Sequence, residues 1–386
     1  MRTVLRGRVV GEEAVIADGV VAFDGPVLEF VGPAAEFEGE APAAVERPGL
    51  VLPGLVDVHC HGGGGYGFPD ADAAGVLAAA AFHRGRGTTT LVGSLVSATE
   101  AELAERIGVL AGAVDGGMLA GIHLEGPFIS VQRPGAHALD RIVPGDPAML
   151  RRLLERAGGR VAAVTIAPET DNFDELATLI AEAGTVLSLG HTVADYARSS
   201  HALWRGGRIS VTHLCNGMPP LEHRHPNFLT AALSAAAHGV AVAEVIGDGV
   251  HLAYGTVRML FDTLGARHIA LVTDAMAAAG QPDGRYRLGS LDVVVTDGVS
   301  RLYDPDGPGA IAGGTATASE VLRRTVCCAA VELGAAVTAA AGTGARLLGR
   351  AGRIGALRAG AVADVLVTDT GLRPVRVYKE GALWNS

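Results

Sequence analysis

Leu52-Pro53-Gly54-Leu55-Val56-Asp57-Val58-His59-Cys60-His61-Gly62-Gly63-Gly64-Gly65 reads as a buried apolar strand that gives way to a loop. Side chains alternate along a strand, so His59 and His61 project to one face, where two imidazoles can grip one metal ion, and Cys60 points to the other. Metal-assisted chemistry is the first expectation. Working outward, this run (55–58) is followed by seven more apolar runs, at 88–93, 119–124, 161–166, 185–189, 209–212, 240–245 and 269–273, alternating with Ala-rich helical stretches. That alternation is the pattern of βα units around a parallel sheet. Eight strands close a barrel, so the expected fold is α/β, a (β/α)8 TIM-type barrel. The helix after the second run opens on a capping box, Thr99 with Glu102.

The flanks read differently. Short β-like runs at 15–16, 20–23 and 27–31 are punctuated by Gly, Pro and Asp, and strand character returns at 363–367 and 375–378. Both ends are expected to build one small β-sandwich domain, residues 1–52 with 353–386, beside a barrel spanning 53–352. Residues 280–310, rich in Gly, Asp and Pro, suggest an inserted hairpin or long loop, and two Ala-rich helices are expected at roughly 317–333 and 337–348.

Composition narrows the function. With 386 residues, 49% hydrophobic and 19% charged, the chain can bury a large core. A formal net charge of -10 with no dense basic patch argues against nucleic acid or an anionic membrane as partner. The stretch 228–247 is broken by Thr230, Ser234, His238 and Glu244 and reads as helix then strand, not as a membrane span. The start shows no long apolar segment before a cleavage site, and Cys60, Cys215, Cys327 and Cys328 form no CxxC pair, so a cytoplasmic protein with reduced thiols is expected. Lys379 is the only lysine, which removes Schiff-base chemistry and any carboxylated-lysine metal bridge.

In such a barrel the reactive groups sit at the C-terminal ends of strands. Those ends carry His59 and His61, Glu125, His191, His213 and Asp274. Each alone has a bland reading, but five strands delivering such groups to one face do not. Glu125, His191 and His213 form the three-ligand His/carboxylate set that catalytic zinc uses while leaving a position open for water. Asp274 can take that water's proton and return it to a leaving amine. His83, His201, His238 and His268 fall away from this face. Cys215 is expected to be inert, and Gly62 to Gly65 to serve close backbone packing, since no P-loop Lys-Ser/Thr follows.

Several motifs carry a family resemblance over nearly the whole chain. They are Pro53 to Gly62, His123-Leu124-Glu125-Gly126-Pro127-Phe128, Gly135-Ala136-His137, Leu189-Gly190-His191-Thr192, Thr212-His213-Leu214-Cys215-Asn216-Gly217-Met218, Asp248-Gly249-Val250-His251 and Val272-Thr273-Asp274-Ala275-Met276. The chain resembles the amidohydrolase superfamily and, within it, the N-acetylglucosamine-6-phosphate deacetylases. The resemblance implies a homodimer and a principal divalent metal on Glu125, His191 and His213, with Asp274 as acid/base and His137 polarising the acetyl carbonyl. It implies that the sugar phosphate meets Arg224, His251 and the backbone around Asn216 and Gly217, beside Ala136, and that Ile311, Ala312 and Gly313 close over the substrate. Zinc is the expected ion, with Fe2+, Mn2+ and Co2+ also compatible, at one or two ions per subunit; His59 and His61 would govern the second. Cys215, Gly217 and Gly314 depart from the residues common in the family.

The expected activity is metal-dependent hydrolysis of the N-acetyl group of N-acetylglucosamine 6-phosphate. The alternatives are deacetylation of another N-acyl amino sugar, or a non-catalytic sugar-phosphate sensor on the same scaffold. Retention of Glu125, His191, His213 and Asp274 argues against the sensor, because a binding module needs no general base.

Overall fold

The computed structural model describes residues 2–12, 14–39 and 49–385; residues 40–48, inside the stretch expected to belong to the small β domain, lie outside the described residues. The eight expected runs form one parallel sheet: Leu55–Cys60, Thr88–Leu95, Gly121–Glu125, Val161–Ile166, Val186–Leu189, Ile209–Val211, Val242–Val245 and Ile269–Leu271. They lie in chain order, each paired with the next. The last strand returns to the first: the Asp274 amide donates to the His59 carbonyl (2.9 Å), the His61 amide to Ala275 (2.6 Å), and the Thr273 hydroxyl to Asp57 Oδ2 (2.6 Å). This closure makes the (β/α)8 barrel.

The helices form where the apolar stretches predict them. Thr99 and Glu102 make the reciprocal capping box at the start of Glu100–Asp115, whose Leu103, Ile107, Leu110 and Ala113 face the sheet. The stretch 228–247 resolves into the helix Phe228–Ala237 and the seventh barrel strand. Among the described residues no helix is long and apolar enough to cross a membrane.

The ends of the chain share a seven-stranded sheet. The strands Thr3–Val10, Val15–Phe23, Leu28–Pro33 and Leu50–Pro53 join Val365–Thr368, Pro374–Lys379 and Ala382–Leu383 from the other end. Leu5, Val21, Phe23 and Leu28 from one end and Val365 and Tyr378 from the other bury into one apolar core, which is the small β domain.

Two segments differ in detail from expectation. The insertion is a three-stranded antiparallel sheet, Gly284–Leu288, Leu291–Thr296 and Val299–Leu302. Its Leu288, Val293 and Val295 pack on Val96, Met276 and Ala312. The first of the two late helices stops at Cys327, short of 333. Ala330 takes a left-handed conformation (φ 54°), and Glu332 caps the next helix, Leu333–Val337, by accepting the Ala335 amide at 2.9 Å. A π turn, Thr338–Gly342, then leads into Thr343–Leu347.

Candidate active site

The barrel strands end on one face, and five of the eight deliver the expected polar residues there. Three of these residues leave their strands by left-handed backbone: His191 (φ 46°), His213 (φ 26°) and Asp274 (φ 48°). Non-glycine residues pay on the order of 1–2 kcal/mol for that conformation, which concentrates at functional sites. The turns direct the side chains toward the barrel axis, where they converge.

Two buried triads result. In the first, Glu125 Oε1 lies 3.2 Å from His191 Nε2 and 3.0 Å from His213 Nε2, and the two nitrogens are 3.0 Å apart. In the second, His59 Nε2 and His61 Nε2 are 3.2 Å apart, and Asp274 Oδ1 lies 3.5 Å from the former and 3.2 Å from the latter. Within each triad all ligand atoms lie within 4.8 Å of one another. Glu125 serves both, because its Oε2 is 3.2 Å from His61 Nε2.

The donor chemistry fits a cation. The His191 Nδ1–H donates to the Arg133 carbonyl (2.8 Å) and the His59 Nδ1–H to Glu244 Oε2 (2.9 Å), so both rings turn the Nε2 lone pair inward. Lone pairs about 3 Å apart repel unless a proton or a metal ion lies between them. Burial alone would raise Glu125 and Asp274, but His59 and the other facing imidazoles outweigh it and hold both carboxylates below their usual range. They are acceptors, as metal ligands must be.

Around the triads runs a cavity of about 270 Å3. Its wall includes His61, Glu125, Ala136, His137, His191, His213, Asn216, Gly217, His251, Asp274, Ile311 and Gly313. Ala312 is buried behind that wall. Arg224 stands apart: it is exposed on the segment before the helix Phe228–Ala237 and does not line the cavity.

His137 is held from behind. The Ser97 amide donates to its Nδ1 at 3.1 Å and the Ser97 hydroxyl lies 2.9 Å away, so the ring proton belongs on Nε2, which faces the cavity 3.3 Å from Glu125 Oε2. Burial pushes its pKa down to about 4, so it is a neutral hydrogen-bond donor. His251 is fixed by Asp248, with Nδ1 2.8 Å from Oδ2, and its Nε2 lies 3.9 Å from Asp274 Oδ2.

Glycines let the backbone come close. A Cβ on Gly135 (φ 56°) would stand 3.0 Å from His191 Cε1, and one on Gly314 would stand 2.5 Å from the Thr273 carbonyl. The second approach accounts for one departure from the resembled family, since this path beside Asp274 admits no side chain at 314. Gly64 and Gly65 donate backbone bonds to Ala279 and Ala277, the close packing expected of the glycine run.

Three participants escaped the reading of residue types. Glu244 sits inside the seventh barrel strand, Ser97 two residues beyond the second, and the Arg133 carbonyl is backbone. An ionisable Glu244 within the otherwise apolar Ala243-Glu244-Val245-Ile246 was the available signal, because a buried carboxylate requires a partner.

A barrel that gathers His/carboxylate sets able to hold a metal ion, a buried aspartate and a neutral imidazole donor around one cavity has the make-up of a hydrolytic enzyme of the metal-assisted class. Residues 50–383 match the model of the Amidohydrolase family, and the chain belongs to that family. It is 34% identical over 313 residues to an N-acetylglucosamine-6-phosphate deacetylase of Bacillus subtilis (strain 168), spanning 77% of this chain and 76% of that one. It is 31% identical over 378 residues to an N-acetylgalactosamine-6-phosphate deacetylase of Escherichia coli O157:H7, spanning 95% and 93%. Among solved structures, a mutant N-acetyl-D-glucosamine-6-phosphate deacetylase from Mycobacterium smegmatis, in complex with N-acetyl-D-glucosamine-6-phosphate, superposes over all of both chains with TM-score 0.92 at 36% identity.

Proposed function

We propose that this enzyme hydrolyses the acetamide of an N-acetylhexosamine 6-phosphate, with N-acetylglucosamine 6-phosphate as the first substrate, releasing acetate and the amino-sugar phosphate. The observation that carries the reading is the meeting of Glu125, His191 and His213 with Asp274 and His137 at one cavity. The names of the relatives support the substrate class.

Glu125, His191 and His213 would hold a divalent ion, zinc by preference, with His59, His61 and Asp274 holding a second. Bound there, the ion supplies Lewis-acid polarisation and a water of lowered pKa. Asp274 takes the proton from the attacking water as the oxygen bonds to the acetyl carbon. The His137 Nε2–H donates to the carbonyl oxygen as its charge grows. Asp274 then gives the proton to the nitrogen, the C–N bond breaks, and acetate and the free amine leave. Asn216, Gly217 and His251 would meet the sugar phosphate, Ala136, Ile311 and Gly313 its apolar faces, with Ala312 supporting the loop. Arg224 would reach the phosphate from the rim.

We further assign residues 53–352 to the catalytic barrel and 1–52 with 353–386 to the small domain. Four free cysteines, two of them exposed, support a reducing, cytoplasmic setting. The family resemblance supports a homodimer, which sedimentation in solution tests.

Acetate release from a panel of N-acetylated sugars, both hexosamine epimers with and without 6-phosphate, tests the activity, with chelator-treated enzyme and Asp274→Asn as controls. Binding without acetate release from any member would overturn the reading in favour of a sensor. Arg224→Ala should cost the phosphorylated substrate at least ten times more in kcat/KM than its unphosphorylated analogue; equal loss removes Arg224 from the phosphate site.

A further inference from the structure

We propose that Glu244 is a positioning residue that makes the His59/His61/Asp274 triad a true metal site, and that its carboxylate decides whether a second ion is held. The inference rests on the metal-dependent reading above and deepens it.

Glu244 belongs to the seventh barrel strand and its side chain is about 4% exposed. A carboxylate buried to that degree costs several kcal/mol unless it is paired. Among the described residues no Arg or Lys lies against it. Its side chain contacts groups around this triad: Oε2 lies 2.9 Å from His59 Nδ1 and 3.3 Å from the Thr212 hydroxyl, which is itself 3.2 Å from His59 Nδ1. A carboxylate can only accept, so Nδ1 carries the proton, the Thr212 hydroxyl donates to the same oxygen, and His59 Nε2 is left to face His61 and Asp274.

The four imidazoles of the two triads are supported unequally. His191 leans on a neutral carbonyl, that of Arg133. Among the described residues, His61 Nδ1 and His213 Nδ1 have no hydrogen-bond partner. His59 alone has a carboxylate behind it. A carboxylate behind a ligating imidazole fixes the ring and raises its basicity, and loss of such a partner typically costs 10–100-fold in metal affinity. The extra negative charge is also placed on the side of the site that would take the second ion, where a first ion's charge opposes binding.

The test is metal stoichiometry and affinity, measured without reference to turnover. The full-length wild type, Glu244→Gln and Thr212→Val are stripped of metal and titrated with Zn2+ against a chromophoric chelator. Co2+ loading followed by absorption, and metal content after gel filtration, provide second readouts. Glu244→Gln preserves size and retains an oxygen that can accept from Nδ1, while removing the charge. It should weaken the more weakly held ion by about 10–100-fold and leave the tighter one within about threefold. Thr212→Val should have a smaller effect of the same kind. His59→Asn, which removes the ligand itself, sets the limit.

Both ions held at wild-type affinity in a folded Glu244→Gln would overturn the proposal while leaving the metal reading intact. Loss of the tighter ion in that variant would overturn it as well, because the carboxylate would then act on the whole centre. A wild type that binds no ion would bring down the metal reading together with this inference.

Discussion

His137→Asn isolates one hydrogen bond in the proposed reaction. An Asn side chain can place its amide oxygen near the position of His137 Nδ1, where the Ser97 amide donates at 3.1 Å, so the loop keeps its anchor. What disappears is the Nε2–H that faces the cavity. In wild type this donor is neutral, because burial pushes the imidazole pKa down to about 4, and it lies 3.3 Å from Glu125 Oε2, beside the converging ligands. Removing one preorganised donor from a developing oxyanion typically costs about 10²–10³ in kcat, roughly 2.7–4 kcal/mol. Because the bond strengthens as charge develops, the loss should fall mainly on kcat, with KM moving by about threefold or less. Acetate release as a function of substrate concentration gives both constants, and metal content and thermal melting verify that the centre and fold are retained. A kcat within about fivefold of wild type, with metal bound, would refute the assignment of His137 to the carbonyl oxygen. A companion variant, Ser97→Ala, removes the hydroxyl and keeps the amide, so its kcat should fall by no more than about tenfold.

Two further outcomes follow from packing and burial. Gly135→Ala forces φ 56° on a residue with a side chain and puts Cβ 3.0 Å from His191 Cε1, so denaturant melts should register a loss of about 1–2 kcal/mol, with weaker retention of metal; unchanged stability would refute the backbone reading. His83 is buried, its Nε2 is 2.9 Å from the Gly62 carbonyl, and burial lowers its pKa from 6.5 to about 4. The unfolded chain therefore binds the extra proton first, so this group's contribution is complete above about pH 6.5 and falls away toward pH 4, by roughly 3 kcal/mol. His83→Gln should flatten the stability profile between those limits, and an unaltered slope would show that His83 does not set it.

The barrel was legible because its signals are redundant. Each strand is an apolar run long enough to be buried on both faces, the helices between them are Ala-rich, and Thr99 with Glu102 marks a helix start without ambiguity. The site was legible for a related reason. Polar residues at the ends of such strands, from His59 to Asp274, are conspicuous against apolar neighbours, and the fold sends them all to one face. What was not legible depends on conformation. The left-handed turns at His191, His213 and Asp274 leave no mark in residue type, since none is a glycine. The Arg133 carbonyl is common to every residue, and Gly314 shows its purpose only once the Thr273 carbonyl lies 2.5 Å from where its Cβ would be. Arg224 illustrates the opposite case, in which the family resemblance named a residue for the site and the fold leaves it exposed and off the cavity wall.

In the sequence His59 and His61 stand as one pair able to grip one ion, and the geometry changes what that pair means. Glu125 is within 3.5 Å of His59 and 3.2 Å of His61, as well as within reach of His191 and His213. Both triads thus share a carboxylate, and neither can be emptied or filled without altering the charge the other sees. Asp274 is equally divided: it completes the second triad and is also the proposed proton carrier. An ion on His59 and His61 would hold Asp274 as a ligand and lower its affinity for the proton it must accept. An enzyme that relied on Asp274 as base would gain from a second ion only if that ion's help with water exceeded this cost. The buried Glu244 behind His59, which returns negative charge to that side of the centre, bears on this balance.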